Sequence, residues 1–321
     1  MKENNIAKTK KKIILTLIVA AVVAFVVVAL KNVFSCRIPV KNRGIRAAVE
    51  AGDLDVLFIG SSTFRCNIDM PTMDQAFDGR VFDLCYGGNQ FIAATIQYDE
   101  LKNRSENKYE LMVFELGPLM LTEEAALTDS RVIWDLSWEG KRRFWEKLEE
   151  SGNTNSSILY EYFVTSGMDD LLTYPVTEPF YATRYYKGAK TDETPSPGRD
   201  VLENEYFDVS DSVLIPAQEQ AVRELIEKCR RDGQKFLFLE SPHYYRLQED
   251  AAYKKYLSYF IDLLEEYKAD YILASDIDFD DHEAEYFEDM NHMSYTGRQI
   301  YTEKLAKLLE YSKRNIKFRL L

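Results

Sequence analysis

The sequence predicts a doubly wound α/β domain, carried behind one membrane-length apolar helix and interrupted by a long aromatic insertion. Three observations point there. Five short, almost continuous apolar runs recur along the chain, the pattern of parallel strands covered on both faces. Segments with apolar residues at three- and four-residue spacing lie among them, the pattern of amphipathic helices. Near the amino terminus, Ile13 to Leu30 runs for 18 residues with Thr16 as its one polar side chain.

That apolar run comes first in chain order. As a helix it would span about 27 Å, close to the hydrocarbon thickness of a bilayer. A core helix is rarely apolar on every face over this length, and a cleaved signal has a shorter apolar stretch ending in a small-x-small site. Lys31 and Asn32 follow directly, and the bulky Phe34 and intervening Lys31 set Val33-Phe34-Ser35-Cys36 apart from a lipoprotein cleavage box. Residues 13–30 therefore read as an uncleaved signal anchor. Residues 1–12 form a basic head, with five lysines against Glu3 giving a net charge of +4; the whole chain of 321 residues carries −13, which leaves −17 for the rest. Lys31, Arg37, Lys41, Arg43 and Arg46 balance the head under the positive-inside rule. Orientation thus rests on a short basic head before a first hydrophobic segment: a single pass through the cytoplasmic membrane, amino terminus inside, acidic domain outside. Residues 31–52 read as a polar, basic linker and 53–321 as the extracytoplasmic domain.

Within that domain the strands are Val56–Ile59, Val81–Leu84, Leu111–Phe114, Phe236–Leu239 and Tyr271–Leu273. Val222, Leu225, Ile226 and Cys229 form one helical stripe, closed by Gly233. Tyr253, Tyr256, Leu257, Phe260, Leu264 and Tyr267 form a second, and Ile300, Tyr301, Leu305, Leu308 and Leu309 a last one. Strands alternating with helices place the functional site at the carboxyl ends of the strands. About 95 residues separate the third strand from the helix beginning at Ala217, beyond any ordinary α/β connection. Residues 121–215 are therefore an insertion, holding Trp134, Trp138 and Trp145 together with Pro175, Pro179, Pro195 and Pro197. It reads either as a lid whose aromatics stack on sugar rings or as an aromatic mini-core of its own.

Gly60-Ser61-Ser62-Thr63-Phe64 follows the first strand directly, which puts its serines at the carboxyl edge of the sheet. A serine nucleophile needs a base, and the chain has three histidines: His243, His282 and His292. Asp289-Met290-Asn291-His292 sets a carboxylate three residues before an imidazole, so one turn of chain can bring both to the same side, with Asp289 fixing the tautomer of a general base. Glu240-Ser241-Pro242-His243 has the same spacing but ends the fourth strand, where His243 reads as a substrate contact. His282 sits in an acidic run and reads as solvated. Arg65 reads as steering an anionic group or as a surface ion pair.

These residues resemble the sequence blocks of the SGNH/GDSL hydrolase superfamily. Gly60-Ser61-Ser62 is similar to its first block, Leu84-Cys85-Tyr86-Gly87-Gly88-Asn89 to its second and Asp289-Met290-Asn291-His292 to its last, with Met293-Ser294-Tyr295-Thr296-Gly297 like the run that follows there. The resemblance covers residues 53–120 and 216–311. It implies a flavodoxin-like three-layer fold, with Ser62 as nucleophile, His292 as base, Asp289 as its orienting partner, and the N–H groups of Ser62 and Gly88 as the oxyanion hole, with Asn89 beside the substrate. One departure stands out: Leu119 occupies the position at which the third block supplies an Asn. The layout of head, single helix and outer domain is similar to membrane-anchored proteins of cell-envelope modification, among them the D-alanine transfer protein of teichoic acids and polysaccharide O-acetylation proteins. That implies an esterase or O-acyltransferase acting on an envelope polymer, with a membrane-bound O-acyltransferase as partner. The alternative is a catalytically weak accessory module that holds a glycan.

Other classes are disfavoured. A net charge of −13 repels a polyanion such as nucleic acid. Cys36, Cys66, Cys85 and Cys229 make no CxxC or zinc pattern and no disulfide framework; they read as small buried hydrophobes, with Cys66–Cys85 the pair an oxidising location would join. Asp276-Ile277-Asp278-Phe279-Asp280 lacks a calcium loop's glycine, which is Asp281, and its last ligand, which is Phe287. No metal and no cofactor is expected. The basic tail Lys313, Arg314, Lys317 and Arg319 reads as a lipid contact or a solvated end.

Overall fold

The computed structural model describes residues 2–37, 44–118, 120–121, 136–150, 185–207, 209 and 216–315. It divides into two units, residues 1–39 with 155–177 and residues 40–154 with 178–321. The described part of the first is a single helix, α1 (Lys2–Arg37). Its apolar side chains are exposed, Leu17 to 64% and Phe25 to 74%. Among the described residues no helix is long and apolar enough to cross a membrane; the run 13–30 ends in residues 28–30, whose side chains fall outside the description. The observed fold thus contains an exposed apolar helix, and the membrane span expected from the sequence is not part of what it demonstrates.

The second unit opens with a short helix, Gly44–Glu50, whose Ile45 and Ala48 are fully buried. Asn107 Nδ2 donates to Val49 O at 2.7 Å, which ties this helix to the start of the third strand. The stretch 31–52 is therefore linker only in part. In chain order the unit continues with β1 (Leu54–Gly60), α2 (Ser62–Asn67), α3 (Met70–Ala76), β2 (Val81–Cys85), α4 (Phe91–Arg104) and β3 (Tyr109–Glu115). There follow α5 (Trp138–Glu150), a two-stranded antiparallel ribbon (Tyr185–Tyr186 with Ala189–Lys190), α6 (Pro216–Arg231) and β4 (Phe236–Leu239). The last elements are α7 (Ala251–Glu266), β5 (Tyr271–Ile272) and α8 (Tyr295–Asn315).

The five main strands pair in the order β2-β1-β3-β4-β5, all parallel. This is the flavodoxin-like order, whose topological switch point lies between β1 and β3. β1 is buried along its whole length, as a central parallel strand must be. Alternate residues feed opposite layers. Val56 and Phe58 join Phe64, Met73, Tyr301 and Leu305 from α2, α3 and α8 in one core. On the other face Phe114 and Phe238 pack with Phe91 of α4 and Phe260 of α7, the Phe91–Phe260 rings 5.3 Å apart and edge to face. Gly233, with φ of +65°, ends α6 in the left-handed conformation glycine favours. Cys66, Cys85 and Cys229 are buried free thiols, as small buried hydrophobes should be, and Cys66 and Cys85, the pair an oxidising location would join, are not bonded.

The strand ends line up at one edge. Gly60 pairs with Cys85 and Glu115 with Leu239, so the segments beginning at Ser61, Tyr86, Leu116 and Glu240 all leave the sheet at its carboxyl side.

Candidate active site

The first segment to leave, Gly60-Ser61-Ser62, turns at once into α2. Ser61 is the N-cap, its Oγ accepting the Thr63 N–H at 3.2 Å. Ser62 is consequently the first helical residue, a position whose N–H has no acceptor within the helix.

A second segment approaches from the end of the chain. Asp289 Oδ1 accepts the N–H groups of Asn291 at 2.8 Å and His292 at 2.7 Å, closing a tight turn, and Phe287 bridges Met293 across its base. The turn leaves Asp289 Oδ2 2.7 Å from His292 Nδ1. His292 Nε2 in turn lies 2.9 Å from Ser62 Oγ. Two residues 230 positions apart thus meet in an unbroken hydrogen-bonded chain from carboxylate to imidazole to hydroxyl. Burial pushes the Asp289 carboxyl up, but the His292 hydrogen bond and charge and the two backbone donors outweigh it and hold it below the usual carboxylate range. An ionised carboxylate on Nδ1 favours the tautomer whose Nε2 accepts a proton from serine.

The loop is fastened to α2 by polar side chains that belong to no sequence motif. Asn67 Oδ1 accepts the Met293 N–H at 2.7 Å, and Asn291 Nδ2 donates to Thr63 Oγ1 at 3.0 Å. Asn67 is fully buried. Gly297 follows because a Cβ there would fall on Tyr286 O, while Ser294 Oγ accepts the Gly297 N–H at 3.2 Å and starts α8. The DxxH motif was legible; these partners carry no motif, and a buried Asn at Asn67, one turn beyond Thr63, was the available signal.

The remaining predicted residues divide. Gly88 lies three residues beyond β2 at the same edge, with φ of +64°. Asn89, read as a substrate contact, is instead a buried brace: its Nδ2 donates to Gly60 O at 3.1 Å and to Gln97 Oε1 at 3.0 Å. His243 is likewise displaced from that role, being fully buried with its ring edge-on to Tyr253 at 5.3 Å. Ser241 is buried beside Tyr301. Arg65 has two guanidinium nitrogens buried and lowers the Cys85 thiol, which burial and then Asp83 push up, so its charge is turned inward at the end of β2. His282 stacks on Tyr245 at the surface. Leu119, Trp134, Pro175 and Pro179 lie outside the described residues, as do Lys317, Arg319 and the side chains of Lys313 and Arg314. Trp138 is exposed at the start of α5, whose Arg143 pairs with Asp99 and whose neighbour Ser137 hydrogen-bonds Glu100, in the third turn of α4 and away from the site-facing start of that helix. Among the described residues no group of three His, Cys, Asp or Glu side chains is placed to hold a metal ion.

Part of the insertion does reach the site. Residues 191–205 run across the Asp289–His292 loop: Tyr295 N–H donates to Thr194 O at 2.8 Å, Ser196 Oγ to Ala284 O at 2.7 Å and Arg298 Nη2 to Asp192 O at 2.6 Å. Glu205 ends this strap. Burial raises its carboxyl and the Asp289 charge adds to that, while the Met290 N–H and His292 oppose it.

No protein-family model matches the chain. No curated protein matches it in sequence. Solved structures with a related path include a candidate acylhydrolase from Bacteroides fragilis, at 12% identity over 84% of this chain and 95% of that one, with a TM-score of 0.39. An acetylxylan esterase from Geobacillus stearothermophilus gives 12% identity over 84% and 99% of the two chains, and its catalytic mutant 11% over 80% and 95%, each with a TM-score of 0.35. These likenesses are remote, and the chemistry of the site stands on its own geometry.

Proposed function

We propose that the protein is a membrane-anchored SGNH-type serine esterase or O-acyltransferase acting on acyl groups of a cell-envelope polysaccharide or teichoic-acid-like polymer. The observation that carries the reading is the Ser62–His292–Asp289 chain, with contacts of 2.9 and 2.7 Å at the carboxyl edge of a parallel sheet. Ser62 Oγ attacks the acyl carbonyl carbon as His292 Nε2 takes its proton; the carbonyl electrons move to oxygen, and the N–H groups of Ser62 and Gly88 receive that charge. Collapse expels the alcohol, protonated by His292, and leaves an acyl-Ser62 ester. Water or a polymer hydroxyl, deprotonated by His292, then takes the acyl group. Asp289 keeps the imidazole oriented and stabilises its cationic form throughout. A hole without the third-block amide is expected to be slower, since one donor is commonly worth about 10²–10³ in rate. The intact hydrogen-bonded chain favours this enzyme over the accessory module.

The anchor belongs to the proposal. An exposed helix bearing Ile13 to Val27 is an apolar surface that water does not tolerate bare, and a bilayer is the cover its length suits. The protein should resist alkaline extraction from membranes, and release by alkali alone would remove the anchor. A fluorophosphonate probe on the full chain in detergent tests the chemistry: wild type should label and Ser62→Ala should not. Equal labelling of the two would refute a Ser62 nucleophile.

A further inference from the structure

The residue beneath the serine turn is Glu115, the last residue of β3, 1% exposed and across the switch point from the end of β1, where Ile59 pairs with Phe114. Its Oε2 accepts the Ser61 N–H at 2.5 Å and its Oε1 accepts the Ser61 hydroxyl at 2.7 Å. The Phe64 N–H and the Thr63 hydroxyl also stabilise its charged form, against a burial that raises it. The space it fills is made for it. A Cβ on Gly60 would sit 2.5 Å from Oε2, and one on Gly117 would collide with Oε1. Gly60, at the end of the adjacent strand, and Gly117, two residues past Glu115 itself, therefore clear room for a single carboxyl, which is pinned on both oxygens and cannot swing aside. Such burial of an acid is costly unless its donors are fixed in place. The donors are the groups that flank Ser62 on each side.

We propose that Glu115 is the positioning residue of the Ser62 turn: by holding Ser61 and Phe64 it fixes the direction of Ser62 Oγ toward His292 and of the Ser62 N–H toward a developing oxyanion. This rests on the reading of Ser62 as nucleophile. It also accounts for the whole Gly60-Ser61-Ser62 triplet: the first residue makes room for the carboxyl, the second binds it and caps the helix, and the third reacts. With the hole assigned to backbone donors, the orientation of the Ser62 peptide carries much of its strength.

The test uses the full chain in detergent. Glu115→Ala should lower the rate of fluorophosphonate labelling at Ser62 by about tenfold or more, the scale of a lost charge-assisted hydrogen bond. Glu115→Gln, which still accepts from the Ser61 N–H, should recover part of it. On a small chromogenic ester, kcat per titrated Ser62 should fall with KM little changed, whereas a variant that merely unfolds more readily would lose titratable sites and keep kcat per site. Hydrogen exchange over residues 60–66 should rise in Glu115→Ala whether or not the protein turns over an ester. Wild-type rates per site in Glu115→Ala, or unchanged exchange over that segment, would overturn the proposal. Absence of labelling in the wild type would instead remove the nucleophile, leaving exchange to decide whether Glu115 holds the turn.

Discussion

His243 shows how a single buried residue sets pH behaviour without entering the reaction. Burial, helped by the His292 charge, outweighs the Asn291 backbone and the Asp289 charge, so the imidazole is held neutral and its pKa falls from an ordinary 6.5 to about 4. The unfolded chain takes up a proton as pH falls through about 6.5, and the folded one does so near 4. Between those values the unfolded state binds more protons, so stability is lost with acidification, by up to about 1.4 kcal/mol per pH unit. Glu115 and Glu240, both raised by burial, act in the opposite sense, because the folded state protonates them first. A comparison of variants separates the two. From neutral pH to about pH 4.5 the thermal midpoint of the wild type should fall further than that of His243→Leu. Parallel losses would show that His243 does not carry the linkage. The same burial is invisible in the sequence: a histidine after a strand looks alike whether it faces a cleft or lies beneath the Asp289–His292 loop.

Among the elements, the strap 191–205 is the one whose position sequence could not supply. The five main strands announced themselves because parallel strands covered on both faces are continuous apolar runs, and each of these five overlaps a predicted one, whereas the two-residue strands of the ribbon Tyr185–Lys190 had no such signal. Ser62, Asp289 and His292 were legible because a turn after a strand and a DxxH spacing are local patterns. The strap is fastened by scattered long-range bonds, from side chains to carboxylates and backbone carbonyls and between backbones, which leave no periodicity. Tyr244 and Tyr245 hydroxyls donate to Glu203 at 2.8 and 3.0 Å, and Arg246 Nη1 donates to the carbonyls of Leu202 and Glu205, each at 3.1 Å. Since the strap also bonds the backbone at Ala284 and Tyr295, it supports the loop that holds His292. Replacing Arg246 by Ala should cost about 1–3 kcal/mol through unsatisfied carbonyls. Hydrogen exchange should then rise in residues 191–205 and 282–295 together. Exchange confined to the strap would mean that the Asp289–His292 loop stands without it.

For the molecule as a whole, charge bears on the acceptor. Residues 13–321 carry −17. At the site the local balance has the same sign: Glu205 lies close to the Asp289–His292 pair, and Arg65, the basic residue one turn beyond Ser62, has its guanidinium turned inward. A polyphosphate acceptor would meet a repulsive field on approach, extending roughly 10 Å at 0.1 M salt, whereas a neutral acylated polysaccharide would not. Deacylation or transfer on a neutral polymer should therefore be nearly independent of ionic strength, and kcat/KM on a polyanionic polymer should start lower and rise as salt screens the repulsion. The two polymers, compared from low to high salt with the full chain in detergent, give opposite slopes under the alternatives. A rate on the polyanion that falls with salt would show attraction, locate a basic acceptor surface on this acidic protein, and move the assignment to teichoic-acid-like polymers.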